Sequence, residues 1–478
     1  MNPAPLPAPA PGTPGPDTAP PAELELRLGP IAHGGHTVAR TAEGRVVFVR
    51  HGLPGELVRV RLTEAGPEAR FWRGDVVGVL EADPQRRAEH VWALADPLLT
   101  WARGEAPVGG AEFGHAELPA QRALKAAVVA EQLSRLAGLE TVVEVEPMPG
   151  EDPLGRGWRT RVHFAVDAAG RIGMHPHRSA AVVPVDRFPL VLPAVDELRL
   201  AELDLTGAER VDVAAPADGS TPLVHLSLAP GADRDRLRRE LARLTARREV
   251  SVTARAEDER QAQAWAGRPA VVEHAGPHRW EVSAEGFWQI HRAAPELLHR
   301  AVPDAAGAGP GEHALDLYAG AGLFTAAFAD AVGEAGSVVA VEGSPVTSAD
   351  ARRTFADRPQ VRVERGSVDK VLARLWPQAA APSRGRRPSR GRSASRDRGA
   401  SRPDVVVLDP PRAGAGRTVV DQLVALAPRR IAYLACDPAT LARDLGRFRR
   451  AGWHVRSVRA FDMYPNTHHV ETLAVLEP

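Results

Sequence analysis

Two short apolar runs, "ALDLYAG" (Ala314–Gly320) and "SVVAVEG" (Ser337–Gly343), decide the fold, because each has strand length and a helical pattern lies between them. Similar runs continue to the end of the sequence: "VRVERGS" (Val361–Ser367), "DVVVLDPP" (Asp404–Pro411), "RIAYLAC" (Arg430–Cys436), "WHVRSVRAF" (Trp453–Phe461) and "ETLAVLEP" (Glu471–Pro478). Apolar strands that alternate with amphipathic helices are typical of a parallel sheet with helices on both faces. Residues 291–478 are therefore predicted to form a doubly wound α/β sheet.

A glycine loop follows the first of these strands, in "DLYAGAGLF" (Asp316–Phe324). Gly320 and Gly322 let the backbone turn tightly and approach a ligand, and Glu342 ends the next strand, where it can accept hydrogen bonds from ribose hydroxyls. A solvated carboxylate is the alternative for Glu342, and the glycines alone also fit NAD. The loop lacks the third glycine of dinucleotide sites, and the fourth strand ends in "LDPPR" (Leu408–Arg412). Together these features favour a class I methyltransferase that uses S-adenosylmethionine.

Cys436 is the only cysteine in 478 residues, and it follows the fifth predicted strand. Asp437 can cap the helix that begins after it, and Pro438 suits the first helical position. A thiol at a helix amino terminus feels a partial positive charge that favours the thiolate, although Asp437 opposes this effect and Arg412 offsets it. A small buried hydrophobic residue is the alternative reading. We expect Cys436 to be a nucleophile.

Glu471 is an acid in a run that otherwise reads as a buried strand. A carboxylate so placed has a raised pKa and can act as a base; an ion-paired edge residue is the alternative. The pair with Cys436 suits one reaction in particular. A thiolate that adds to carbon 6 of uracil makes carbon 5 nucleophilic, and a base must later remove the proton from carbon 5.

The rest of the chain is predicted to form several further regions. Turn signals and short alternating strands indicate a small OB-like barrel, whose basic side chains suit RNA, although scattered structural arginines fit nearly as well. The predicted boundaries are a disordered Pro/Ala-rich tail at 1–22, the barrel at 23–83, a helical connector at 84–140, a central β-rich domain at 141–290, the methyltransferase domain at 291–478 and a disordered Arg/Ser-rich insert at 380–402. Among the basic side chains that the barrel surface is expected to offer are His33, His36, Arg40, Arg45, Arg50 and Arg70.

Taken together, these motifs resemble the RNA 5-methyluridine methyltransferase family, in the family's order and over most of the chain. The amino-terminal barrel resembles a TRAM domain, and "GFWQIHRAAPELL" (Gly286–Leu298) resembles the segment whose glutamine contacts the cofactor. The resemblance implies that Cys436 is the nucleophile and Glu471 the proton-abstracting base. It also implies a cofactor site lined by Gln289, Tyr318, Gly320, Gly322, Leu323, Glu342 and Asp409.

The chain departs from the family pattern in the region where many members carry cysteines for an iron–sulfur cluster. "PVGGAEFGHAEL" (Pro107–Leu118) contains none, and such a cluster needs about four thiolates. No cluster or metal is therefore expected. Leu323 stands where a polar residue is common, and His291 replaces a frequent asparagine, which leaves details of the cofactor contacts open.

The expected function is transfer of a methyl group from S-adenosylmethionine to carbon 5 of a uridine in RNA, with ribosomal RNA favoured over tRNA. The alternatives are an amino-methyltransferase of nucleic acid, suggested by "DPPR" (Asp409–Arg412), and a catalytically retired RNA-binding protein. Hydrophobic residues make up 44% and charged residues 25% of the chain, and no apolar run is long enough to span a membrane. A single cysteine suits a reducing cytoplasm, and we expect a monomer.

Overall fold

The computed structural model describes residues 23–66, 68–379 and 400–478. The predicted tail at 1–22 and residues 380–399 of the predicted insert lie outside the described residues. The described residues divide into two compact units: residues 23–30 join His36–Pro84 in the first, and Ile31–Gly35 join the described residues from Gln85 to Pro478 in the second. The finer boundaries near residues 140 and 290 stay predictions.

The first unit is the predicted small barrel. The strands in this part of the chain are β1 (Glu23–Arg27), β2 (Ile31–Ala32), β3 (His36–Arg40), β4 (Val46–Arg50), β5 (Leu57–Glu64) and β6 (Trp72–Glu81). Those of the first unit follow the order β1-β5-β6-β4-β3, with β4 parallel to β6. Gly29 donates its N–H to the carbonyl of Val38 at 2.8 Å, which closes the sheet on itself. Val47, Val49 and Val58 are fully buried, since every second side chain of a barrel strand points inward.

A helical stretch opens the main part of the second unit. It contains α1 (Pro97–Thr100), α2 (Leu118–Gln132) and the short strand β7 (Val145–Glu146). The buried side chain of Gln121 donates to the carbonyls of Phe113 at 3.1 Å and Ala116 at 2.9 Å and to Oδ1 of Asn466 at 3.0 Å. These hydrogen bonds hold the cysteine-free segment Pro107–Leu118.

The central region is a seven-stranded sheet with a separate hairpin. Its elements are β8 (Arg161–Val166), β9 (Ile172–Met174), β10 (Val183–Pro184), α3 (Pro193–Asp196), β11 (Ala208–Ala214), β12 (Leu223–Leu228), α4 (Arg234–Thr245), β13 (Ser251–Ala256), β14 (Gln263–Ala266), β15 (Ala270–Ala275) and β16 (His278–Ser283). The sheet order is β10-β9-β8-β11-β12-β13-β14, and β15 pairs with β16. Alternate residues such as Val162, Phe164, Val211 and Val213 bury one face in a common apolar core.

The carboxyl-terminal region is the predicted α/β sheet. Its elements are α5 (Ala294–Ala306), β17 (His313–Leu317), α6 (Leu323–Val332), β18 (Ser337–Glu342), α7 (Pro345–Thr354), β19 (Val361–Arg365), α8 (Val368–Leu375), β20 (Val405–Leu408), α9 (Gly416–Leu426), β21 (Arg430–Ala435), α10 (Pro438–Arg450), β22 (His454–Phe461) and β23 (Glu471–Glu477). The strand order is β19-β18-β17-β20-β21-β23-β22-β7. Apolar side chains project from both faces of the sheet. Val406 and Leu408 pack in the core on one face, and Val405 and Val407 pack in the core on the other face.

The topology gathers several loops at one edge of this sheet. Strands β17 to β21 are parallel, as predicted, whereas β23 runs antiparallel between β21 and β22. The start of β23 therefore lies beside the carboxyl ends of the parallel strands, which is where open α/β sheets bind ligands. No helix in the described part of the chain is both long and apolar enough to cross a membrane.

Candidate active site

Cys436 and Glu471 meet where β21 and β23 pair. Ala435 lies opposite Thr472 in the antiparallel register, and the Thr472 hydroxyl donates to the Ala435 carbonyl at 2.8 Å. Cys436 and Glu471 are the next residues outward on the two strands. Residues opposite each other in an antiparallel pair project to the same face, so the register brings the thiol and the carboxyl together.

The carboxyl of Glu471 is buried and only partly hydrogen-bonded. Its Oε2 accepts a hydrogen bond from the Tyr464 hydroxyl at 3.1 Å, and its Oε1 has no hydrogen-bond partner among the described residues. Burial raises the pKa of Glu471 well above its usual range, the charge of Asp409 raises this pKa further, and the Tyr464 hydrogen bond opposes them. A buried carboxyl with a raised pKa and a free oxygen can accept and hold a proton.

Cys436 is half-buried, and its surroundings disfavour the thiolate. Burial raises the pKa of its thiol to about 12, and the carboxylates of Glu471 and Asp409 add to the shift, while Arg412 opposes it. Asp437 caps α10 through a 2.8 Å hydrogen bond from the Thr440 N–H. The helix begins where the sequence predicts it, directly after Cys436 and Asp437.

Asp409 and Gln289 meet at the end of β20. The Gln289 side-chain amide donates to Oδ2 of Asp409 at 3.5 Å, and the Asp409 N–H donates to the Leu317 carbonyl at 3.3 Å. Burial raises the pKa of Asp409 to about 6, and the Gln289 hydrogen bond opposes the shift. Gln289 comes from the segment between β16 and α5, so two different regions of the second unit supply this pair.

The glycine loop after β17 is tied to the end of β18. Oε2 of Glu342 accepts a hydrogen bond from the Gly320 N–H at 2.8 Å, and Oε1 accepts one from the Ser344 N–H at 2.6 Å. A Cβ atom at Gly322 would lie 2.4 Å from the Phe355 ring, and its φ of 95° also favours glycine. Gly320 has a φ of 55°. The positive φ angles favour glycine at both positions, and the Glu342 carboxylate at the end of β18 lies against the loop, an arrangement that suits an adenosine group.

The side chains of Tyr318 and Leu323 serve the packing of this region. Tyr318 has a φ of 64° and packs on the apolar core; burial raises its pKa, as do the carboxylates of Asp444 and Asp369. Leu323 begins α6 and is buried in the core on the other face. A cofactor contact from either side chain stays a prediction.

The sequence predicts no role for two residues at the site, Tyr464 and Asp316. Tyr464 lies between β22 and β23, seven positions before its partner Glu471. Asp316 is fully buried at the end of β17; burial raises its pKa to about 7, and the Thr325 hydroxyl donates to it at 2.6 Å. The only signal for either is a polar residue within an apolar stretch, which does not reveal its partner.

A cavity of about 230 Å³ opens beside Cys436. The side chains of His33, Lys125, Arg412, Asp437 and His468 are among its lining. Arg412 donates to Nε2 of His469 at 3.1 Å and has no carboxylate partner among the described residues. Lys125 forms a buried ion pair with Asp462 at 2.5 Å. The cavity therefore combines a thiol with a guanidinium that forms no ion pair among the described residues, which suits a polar ring with electron-rich oxygens.

Comparison with known proteins gives consistent matches along the chain. A family described as tRNA (uracil-5-)-methyltransferase matches residues 302–478, and the TRAM domain family matches residues 22–77. An uncharacterized RNA methyltransferase of Streptomyces avermitilis is 43% identical over 95% of this chain and 98% of its own length. One of Bifidobacterium longum is 35% identical over 95% of this chain and 96% of its own length.

A solved structure has the same fold. The crystal structure of Pyrococcus abyssi tRNA (uracil-54, C5)-methyltransferase, in complex with S-adenosyl-L-homocysteine, superposes with a TM-score of 0.65. The match covers 95% of this chain and 100% of that chain, at 19% sequence identity. The architecture is therefore shared along both chains.

Proposed function

Because the chain belongs to the RNA (uracil-5-)-methyltransferase family, we propose that it methylates carbon 5 of a uridine in RNA through a covalent bond to Cys436. The observation that carries the proposal is the β21–β23 register, which brings Cys436 beside Glu471. A thiol and a buried carboxyl at one sheet edge are the two groups this reaction needs, and they adjoin the Gln289–Asp409 pair.

The enzyme is an RNA methyltransferase whose methyl donor is S-adenosylmethionine. The residues present fit that donor: Glu342 and the glycine loop suit its ribose, and the polar Gln289–Asp409 pair suits its charged amino-acid part. When bound, the donor supplies an electrophilic methyl group. The chain's own residues hold the donor and the uracil, exclude water and move protons.

The first chemical step belongs to Cys436. Its S–H bond breaks and the proton leaves to solvent, the sulfur forms a bond to carbon 6, and the electron pair of the ring double bond moves to oxygen 4. The thiol pKa of about 12 disfavours ionisation before ligands bind. Arg412 is the positive charge that opposes this shift, so it helps the thiolate to form.

Glu471 completes the reaction. After carbon 5 has received the methyl group, its C–H bond breaks and the proton passes to the Glu471 carboxylate. The electron pair restores the ring double bond, the C–S bond breaks and Cys436 leaves as the thiolate. The free Oε1 and the raised pKa of Glu471 support this role.

The alternatives explain fewer of these contacts. Methylation of an exocyclic amine uses no thiol, so it gives Cys436 no role, and it leaves the free oxygen of Glu471 unexplained. A retired enzyme has no need to keep Gly322 packed against Phe355 or a buried carboxyl beside a thiol. We therefore propose an active uridine enzyme.

RNA is the proposed partner, and the barrel offers a surface for it. Phe71 is partly exposed, its ring centroid lies 5.2 Å from that of Phe48, and the Arg73 guanidinium lies 4.7 Å from the Phe71 ring. Aromatic rings next to arginine stack on unpaired bases. Arg50 is one of the basic side chains that the sequence analysis places on the barrel surface. In the structure its guanidinium forms an ion pair with the buried Asp75 carboxylate at 2.8 Å.

We propose ribosomal RNA as the substrate, since TRAM-bearing members of the family often modify it, and a base extruded from its helix as the reacting form. The Pyrococcus abyssi neighbour acts on tRNA, so both classes belong in the test. A chain with one free thiol suits a reducing compartment, and the cytoplasm is the proposed location.

Release of tritium from RNA labelled at carbon 5 of uridine tests the proposal. Each transfer replaces the carbon-5 hydrogen, so ribosomal RNA transcripts should release label to water only when S-adenosylmethionine is present. Methylation of the same RNA without tritium release would contradict the uridine assignment. Release from tRNA alone would overturn the choice of ribosomal RNA and leave the chemistry intact.

A further inference from the structure

His33 reaches the residue that follows the nucleophile. Its Nε2 lies 3.1 Å from Oδ2 of Asp437, and the other carboxylate oxygen of Asp437 caps α10. His33 belongs to the segment 31–35, which is part of the second unit, and it lines the same cavity as Cys436.

The segment that carries His33 is held close to the cavity. Gly34 and Gly35 follow it with φ values of 90° and 78°, so the chain turns sharply there. A Cβ atom at Gly35 would lie 2.6 Å from Cβ of His468, which also lines the cavity. A side chain at position 35 would push the segment away from this wall, so glycine permits the close approach.

We propose that His33 is a positioning residue that holds the Asp437 carboxylate and offsets its negative charge, so that Cys436 ionises more readily. The inference rests on the proposed role of Cys436 as the nucleophile. Residue 33 also falls within the TRAM match at 22–77, so this segment supplies a side chain to the catalytic cavity as well as any RNA contact.

The charges around the pair support this direction. Burial raises the pKa of the Cys436 thiol most, the carboxylates of Glu471, Asp409 and Asp437 raise it further, and Arg412 opposes them. The hydrogen bond from His33 helps to lower the pKa of Asp437 to about 2, so Asp437 stays charged.

His33 itself is shifted towards its charged form. The hydrogen bond to Asp437 raises the pKa of His33, with a smaller contribution from Glu131, while burial and Arg443 oppose the shift. The imidazolium is therefore fully present below the ordinary histidine pKa and is lost as the pH rises through its raised value. Its effect on Cys436 should be largest at low pH and should fade above neutrality.

Thiol alkylation tests the inference directly, because Cys436 is the only cysteine. The rate of maleimide addition to the intact protein is measured by mass spectrometry from pH 5.5 to 9. His33→Gln keeps a hydrogen-bond donor but loses the charge, so its rate below pH 6.5 should fall about threefold to tenfold, because one pKa unit changes the thiolate fraction tenfold. The two rates should converge at pH 9.

Asp437→Asn completes a double-mutant cycle, since asparagine also caps helices well. This variant should react faster than the wild type, and His33→Gln should have no further effect in that background. His454→Gln, at an exposed position on β22, is the matched control and should react like the wild type. Circular dichroism shows whether each variant is folded.

Two results would overturn the inference. One is an equal alkylation rate for the wild type and His33→Gln at every pH. The other is that His33→Gln lowers the alkylation rate as much in the Asp437→Asn background as it does in the wild type. If His33→Gln does not fold, the Asp437→Asn variant alone decides, because an unchanged rate contradicts the role of the carboxylate. Alkylation needs no methyl transfer. The expected alkylation pattern without tritium release from RNA would therefore overturn the proposed function and leave the His33–Asp437 coupling standing.

Discussion

The hydrogen bond between Tyr464 and Glu471 allows a sharp prediction for the variant Tyr464→Phe. The hydroxyl is the group that opposes the upward pKa shift of Glu471, so its removal should raise that pKa further. Glu471 accepts a proton only as the carboxylate, and its carboxylate form is gained as the pH rises through its pKa. The rising limb of the pH–rate profile should therefore move to higher pH.

The size of the shift follows from the hydrogen bond. A bond to a charged acceptor contributes roughly 1.5–3 kcal/mol, and one pKa unit corresponds to about 1.4 kcal/mol. Tyr464→Phe should thus raise the pKa of Glu471 by about one to two units. At pH 7 the carboxylate fraction falls by about tenfold to a hundredfold, and part of this loss is offset because a base of higher pKa accepts the proton more readily. We expect tritium release to slow about tenfold.

The assay is single-turnover tritium release between pH 6 and 10. Tyr433→Phe is the matched control, because the hydroxyl of Tyr433 is also buried and donates to a carboxylate, that of Asp444, at 2.8 Å. The control should lose about 1.5–3 kcal/mol of folding stability and keep its pH profile. A Tyr464→Phe profile that coincides with the wild-type profile would refute the reasoning.

Three further changes test other parts of the structure. Glu471→Gln should accumulate a covalent RNA adduct on a denaturing gel, whereas Glu477→Gln at the far end of β23 should not; no adduct with the first would remove Glu471 from the base role. Gly322→Ala should lower the melting temperature more than Gly333→Ala. Both glycines have positive φ, but only a Cβ atom at position 322 would clash with the Phe355 ring. Equal decreases in melting temperature would contradict this close approach of Gly322 to Phe355. Lys125→Met should cost about 3 kcal/mol in urea unfolding, since it removes the 2.5 Å partner of the buried Asp462 carboxylate and leaves it only Arg122 at 3.7 Å; a neutral effect would mean that the Lys125 ion pair is not needed.

The sequence predicts the carboxyl-terminal sheet well because burial on both faces requires continuous apolar strands. All seven predicted strands form, and the residues of β20 alternate between two cores. The direction of β23 was not predicted, because an apolar pattern reads the same in a parallel and an antiparallel strand.

The sequence also predicts which groups meet at the site, but not their charge states. Strand ends converge at one sheet edge, which is why Cys436, Glu471 and Asp409 come together. Whether a thiol ionises depends on burial and on carboxylates from other strands, and these are properties of the folded chain. The sequence shows the opposing Asp437 and the favourable Arg412, but not the burial and the carboxylates of Glu471 and Asp409 that raise the pKa of the thiol.

Contacts between distant segments explain the other omissions. Gln121 and Asn466 are 345 residues apart, yet their hydrogen bond helps to hold the segment that lacks the family's cysteines. The sequence alone suggests that Arg50 is a free cation on the surface, whereas in the folded barrel it forms an ion pair with Asp75. Neither contact leaves a local signal, since both depend on side chains brought together by the fold.

Trapping with RNA that contains 5-fluorouridine tests the central claim most directly. Fluorine at carbon 5 cannot leave as a proton, so the bond between Cys436 and carbon 6 should persist after methyl transfer. We expect a denaturant-stable adduct that requires S-adenosylmethionine, maps by mass spectrometry to the peptide containing Cys436 and disappears in Cys436→Ala. An enzyme that methylates normal RNA but forms no adduct, or an adduct that survives in Cys436→Ala, would contradict the claim.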